Sequence, residues 1–328
     1  ADHLPLDRQE QMYSRAGVEL PRSTLADWVG RCGVELKPLV EHLRQRLLEQ
    51  PVLHADETPV PMLAPGKKKT HQAYVWAYAS TRYDPLQAVI DEFSPSRAGK
   101  HARAFLQGGQ GKLICDDFAG YKAGFELGMT EVGCWAHARR KFHEAFQQGE
   151  APQRSAWILR QIAHLYAIEA QLRRSRAGPR LREALRQSRS RPIAQRIHRA
   201  LLRFQRSRIH LPKSLMGKAI AYALGQWQML TKWLEDGRIE IDNNLCENAI
   251  RPTAVGKKNW LFIGDKDAGW RSAVIYSIIT SCRSRGIDPH ASLRDVLTRL
   301  PNMTNRQIPE ITPAAWAEAR RTALQLAS

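Results

Sequence analysis

The chain has 328 residues, room for one large domain or two to three smaller ones, and 43% are hydrophobic, enough for a real core. Its net charge of +18 points to a polyanionic partner, nucleic acid first and an acidic membrane surface second. No apolar run approaches the roughly 20 residues a bilayer span needs, the N-terminus ADHLPLDRQE has no signal core, and the five cysteines are odd in number and scattered, as in reduced cytoplasmic proteins rather than a disulfide framework.

Two short helices are expected first, Arg8–Ala16 and Ser23–Cys32, broken at Gly17. Their spacing fits a helix-turn-helix, but the commoner αα-hairpin is favoured, because the second helix carries only Arg22 and Arg31 for DNA. A third helix, Leu36–Glu49, repeats Leu39, Val40, Leu43 and Leu47 at helical spacing. The period then changes. Pro51–Asp56 reads as a short strand ending in an acid, Ala73–Ser80 as an aromatic alternating strand, and Leu86–Phe93 as a third. Helix Arg97–Gln107 precedes Gly108-Gly109, and Lys112–Asp116 is a fourth strand ending in an acid. A short helix Tyr121–Leu127, a strand Glu131–Trp135 and a helix Ala136–Gln148 complete a β-β-β-α-β-α-β-α order, the mark of an α/β fold.

From about Gly149 to Trp233 the chain is helical and basic. Between Arg173 and Arg208 it holds thirteen arginines and one acid, Glu183, a lopsidedness that favours polyanion contact over a solvated face. The stretch Ile239–Gly264, IEIDNNLCENAIRPTAVGKKNWLFIG, follows. Asp242 and two asparagines suit a helix start. A helix from about Asn243 to just before Pro252 aligns Asn243, Glu247 and Arg251. Helices over Gly269–Gly286, Leu293–Leu300 and Pro313–Leu326 close the chain.

Two-metal phosphodiester chemistry needs carboxylates converging from separate elements on ions about 3.5–4 Å apart. Asp56, Asp116 and Glu247 meet that requirement by type and position, with Glu57, Asp117 and Asp242 as near competitors. Cys134 and His137 have zinc-ligand spacing, but a structural zinc needs two more ligands, and Cys115 and His143 are the candidates. A helix start facing phosphate is the stronger expectation for His137, Arg139 and Arg140.

These stretches resemble a known family. LPLDRQEQMYSRAGVELPRSTLADWV, HADETPV, CDDFAGYKAGF, GCWAHARRKF and IDNNLCENAIRPTAVGKKNWLFIG look like the TnpC-type transposases of insertion sequence family 66, in the DDE superfamily, from about Leu4 to Leu300. The resemblance implies a ribonuclease-H-like mixed sheet, interrupted by a large basic all-helical insertion and flanked by terminal helices. It implies a helical segment over 1–50, catalytic core over 51–148 and 239–300, the insertion over 149–238 and a tail over 301–328. It makes Asp56, Asp116 and Glu247 the catalytic triad, holding two Mg²⁺ or Mn²⁺ ions, and Arg139, Arg140, Lys141, Arg251, Lys257 and Lys258 the DNA contacts. Cleavage at element ends and strand transfer to target DNA are the implied reaction; a metal-dependent nuclease or an inactive DNA-binding protein are the rivals. A homo-oligomer on DNA, in the bacterial cytoplasm at the nucleoid, goes with it. Family members also carry an N-terminal zinc module, expected to lie outside this sequence.

Overall fold

The computed structural model describes residues 3–125 and 128–326. Helices α1 (Leu6–Arg15), α2 (Arg22–Glu35) and α3 (Lys37–Leu48) precede strands β1 (Val52–Met62), β2 (His71–Ser80) and β3 (Val89–Ser94). Then come α4 (Gly99–Leu106), β4 (Lys112–Ile114), α5 (Ala119–Phe125), β5 (Thr130–Val132) and α6 (Trp135–Gln147). Helices α7 (Pro152–Arg174), α8 (Pro179–Leu185), α9 (Arg191–Arg206), α10 (Leu215–Gly225) and α11 (Trp227–Thr231) form the basic region. The chain ends with α12 (Asn244–Trp260), α13 (Lys266–Ser284), α14 (Pro289–Arg299) and α15 (Pro313–Leu326). The end of the expected helix at Leu127 lies outside the described residues. Among those residues no helix is long and apolar enough to cross a membrane.

The chain is mixed α/β and divides into two compact units. One comprises 1–111, 119–128 and 245–328; the other comprises 112–118 and 129–244.

In the first unit β1, β2 and β3 form an antiparallel meander. Asp56 stands opposite Ala77, and Ala77 opposite Asp91. Opposed residues share a face, so Asp56, Ala77 and Asp91 lie in one row. α12 covers that face, packing Cys246 and Ile250 on Ala77, Ala79 and Val89. On the other face Tyr78 stacks on Phe105 of α4 with ring centroids 3.6 Å apart. β1 does not stop at Asp56: it pairs with β2 through to Met62, so this acid sits mid-strand. Pro59 and Pro61 hid the extension from sequence reasoning. The Pro61 carbonyl accepts from Ile263 N–H at 2.8 Å, so these positions turn away from β2, where a missing N–H costs no ladder bond.

α13 lies along β3, whose edge its serines satisfy. Val89 N–H donates to Ser281 Oγ at 2.9 Å and Asp91 N–H to Ser277 Oγ at 2.8 Å; Ser281 Oγ returns a bond to the Val89 carbonyl at 3.0 Å. An otherwise open edge is thereby closed to other strands. Gly269 lets the helix in: a Cβ there would meet the Phe93 ring at 2.5 Å. The expected stop before Pro252 does not hold, because α12 runs through it to Trp260. The ring forfeits one bond, to the carbonyl of Asn248, which lies on the exposed side of the helix.

In the second unit β4 and β5 pair in parallel, Leu113 opposite Glu131. β4 ends at Ile114, short of Asp116, and β5 at Val132, short of Trp135. α6 buries Trp135, Ala138, Phe142 and Ala145. Two of the thirteen arginines are structural: Arg182 and Arg186 are fully buried. Both grip Glu169 of α7, Arg186 through Nε at 2.7 Å and Arg182 through Nη2 at 2.9 Å. Arg182 Nε donates to the Gly237 carbonyl, and Arg186 to the carbonyls of Trp233, Asp236 and Ile239, in the segment before α12. Buried carbonyls outside regular structure need such donors. Glu169 lies outside the window in which the arginines were counted, so composition alone could not assign them.

Candidate active site

Asp56 and Glu247 both lie near the Cys246 thiol in the first unit. The thiol of Cys246, in the first turn of α12, donates to the Ala77 carbonyl at 3.2 Å, and Ala77 is the cross-strand neighbour of Asp56. Glu247 is the next residue. The helix start therefore seats over the strand pair at the level of Asp56. Burial, then the fields of Asp56, Asp91, Glu247 and Glu57, push the Cys246 thiol well above its ordinary pKa. Asp56 and Glu247 are half-buried and offer hard carboxylate oxygens, the donor type that Mg²⁺ and Mn²⁺ take.

The competitors have other work. Glu57 faces the opposite side of the sheet, where Arg97 Nε donates to it at 2.8 Å and the Tyr121 hydroxyl at 2.8 Å. Its side chain is only 3% exposed, so it is held as a buried ion pair. In the second unit, Asp117 Oδ1 accepts from Gln226 Nε2 at 2.6 Å, whereas Asp116 spends Oδ1 on the N–H of Phe118 at 3.1 Å in its own turn. Asp242 caps the chain before α12, accepting the N–H and the side-chain amide of Asn244 at 3.1 and 2.8 Å. Burial raises its carboxyl above the usual range, with the Asn244 N–H and the Tyr166 hydroxyl partly offsetting.

The six expected DNA contacts differ in exposure. Arg139, Arg140, Arg251 and Lys258 are exposed. Lys257 donates to the Pro59 carbonyl at 2.8 Å, and Lys141 lies 4.6 Å over the Tyr222 ring. Cys134 and His137 bring ligand atoms within 4.8 Å of each other. Among the described residues Cys115 and His143 do not join them in a metal-ligand group.

Residues 1–271 match the transposase IS66 family, and residues 277–314 match the IS66 C-terminal element. The chain belongs to the IS66 transposase family. It is 36% identical over 314 residues to the uncharacterized protein y4qI of Sinorhizobium fredii (strain NBRC 101917 / NGR234), covering 92% of this chain and 57% of that one. To the uncharacterized protein y4jD of the same strain it is 34% identical over 327 residues, covering 96% of this chain and 63% of that protein. The chain spans about three-fifths of the length of these curated relatives.

Beside the acids that IS66 resemblance picks out stands one that sequence reasoning missed. Asp91 is 4% exposed, and among the described residues neither of its carboxyl oxygens has a hydrogen-bond partner. Burial pushes its pKa up to about 8. Burial and then the field of Asp91 push the phenol of Tyr276 up to about 12. In the run VIDEFS two apolar residues precede two acids, so no alternation marks which acid turns inward.

Proposed function

We propose that this chain is the catalytic part of a DNA transposase that cleaves strands at element ends and joins them to target DNA. The observation that supports the reading is that Asp56 and Glu247 both act on the Cys246 thiol, which donates to the Ala77 carbonyl across from Asp56. Asp116, rather than the Gln226-bound Asp117, is the third acid. Asp56, Asp116 and Glu247 would hold two Mg²⁺ or Mn²⁺ ions. When bound, such a pair lowers the pKa of the attacking water and stabilises charge on the attacking and leaving oxygens.

The chain's own residues do the rest. The three carboxylates orient the reacting phosphate by fixing where positive charge can sit. Arg251 and Lys258, exposed on the helix that carries Glu247, bind backbone phosphates near it. On α9, Arg196, Arg199, Arg203 and Arg206 are exposed at spacings of three and four residues, one stripe of the helix. That stripe supplies affinity independent of sequence, which falls steeply with salt. Arg139 and Arg140, exposed near the start of α6, add to it. Joining two ends requires two copies of the acid set, so a homo-oligomer assembles on the DNA.

The test is alanine substitution of each acid, assayed for Mn²⁺-dependent nicking and for strand transfer. Each variant is expected to lose both reactions and keep duplex binding. Strand transfer surviving in any one of them removes that residue from the assignment. Nicking without any joined product in the wild-type chain would instead mark a nuclease.

A further inference from the structure

The C-terminal helices build a cleft that the proposed chemistry does not use. It comprises two adjoining cavities of about 530 and 540 Å³, which share Ala291, Trp316 and Arg320. Arg285 and Arg321 line the first and Arg294 and Arg299 the second, so five guanidinium groups face one depression.

The two acids in its walls are spent on the chain's own donors, Asp295 on one of the five arginines. Asp288 caps α14, accepting from the N–H groups of His290 and Ala291 at 3.0 and 3.3 Å. Asp295 accepts from Trp316 Nε1 at 3.0 Å and pairs with Arg299 at 3.4 Å. The Arg320 guanidinium lies 5.1 Å over the Trp316 ring, so that ring supports a cation rather than stacking on a base. Arg285 is anchored to the loop before β3, donating to the carbonyls of Pro85 and Leu86 at 2.7 and 2.9 Å. Burial, then Arg321 beside it, lowers the pKa of this guanidinium, with Cys282 and Glu318 opposing. Arg294, Arg320 and Arg321 are exposed. Crowded cations in a concave wall, with the local acids spent, are a surface built for anions. A single phosphate meets one or two guanidinium forks; three exposed ones along a cleft, beside the anchored Arg285 and Arg299, suit a polymer of phosphates.

We propose that the cleft between α14 and α15 docks the sugar–phosphate backbone of duplex DNA, through residues separate from the acids at Asp56 and Glu247. The proposal rests on the reading that DNA is the partner. It makes the C-terminal element a second hold on the duplex.

Arginine footprinting tests it directly. The whole chain is treated with phenylglyoxal, with and without a random-sequence duplex, and the modified arginines are mapped by mass spectrometry. The duplex is expected to protect Arg294, Arg320 and Arg321. The triple variant Arg294→Gln, Arg320→Gln, Arg321→Gln is expected to lower the slope of log affinity against log salt by roughly 2 to 3. Full modification of the three arginines in a chain that binds the duplex overturns the cleft while leaving the DNA reading intact. A wild-type chain that binds no duplex overturns both. Equal protection by inorganic phosphate alone makes this a small-anion site and overturns the duplex assignment.

Discussion

An Asp91→Asn substitution removes one titrating group from a place where burial keeps a carboxyl protonated. The group titrates at about 8 in the fold, against 3.8 for an ordinary aspartate. Over that window the folded chain retains a proton that the unfolded chain has lost. Stability is therefore full below about pH 4, falls by about 1.4 kcal/mol per pH unit, and levels off above about pH 8. Asparagine carries no such group, and the variant lacks this slope. Its amide is equally short of partners, at a cost of roughly 1–3 kcal/mol, but that cost is the same at every pH and cancels between conditions. Glu92 next to it, raised to about 7 by burial, titrates in both proteins and cancels too. Between about pH 5.5 and about pH 7.5 the wild type should lose roughly 3 kcal/mol relative to the variant. Urea unfolding followed by circular dichroism, in EDTA at both pH values, measures it. A wild-type-to-variant difference that does not change with pH refutes the protonated, buried Asp91.

Three other perturbations follow from the packing. Glu169→Gln removes the acid that buried Arg186 and Arg182 share, leaving Arg182 only Glu240 at 3.8 Å, and should destabilise by about 3–5 kcal/mol in urea unfolding; a change below about 1 kcal/mol would mean that the pair is not buried as described. Ser281→Ala strips the Val89 N–H of its acceptor and should cost about 1–3 kcal/mol, with faster amide exchange at Val89 as the local sign. Gly269→Ala drives a methyl into the Phe93 ring and should cost about 1–3 kcal/mol; an unchanged melting temperature would show that α13 does not pack that closely on β3.

Much of the fold was legible because its elements carry strong local patterns. The aromatic alternation of β2, the leucines of α3 and the β-β-β-α-β-α-β-α order all stand in the sequence as they do in the structure. The misses have physical causes. The first strand was expected to end at Asp56, yet it runs on through Pro59 and Pro61, which face away from the partner strand. Pro252 reads as a helix stop, yet the bond it removes belongs to a carbonyl on the open side of α12. Arg182 and Arg186 read as polyanion contacts because their buried partner, Glu169, is on another helix. At the candidate site, residue type, position and resemblance named Asp56, Asp116 and Glu247, while the hydrogen bonds that Glu57, Asp117 and Asp242 make to distant or neighbouring groups were not legible. Asp91 was out of reach altogether: its burial depends on α12 and on α13, which is roughly 180 residues further along the chain.

The central claim is that Asp56, Asp116 and Glu247 together hold catalytic metal. Anomalous diffraction from a crystal of the chain soaked in Mn²⁺ tests it most directly. The account predicts manganese peaks about 2 Å from carboxylate oxygens of all three residues. Peaks that avoid these carboxylates, or that gather on Cys134 and His137 instead, would contradict it.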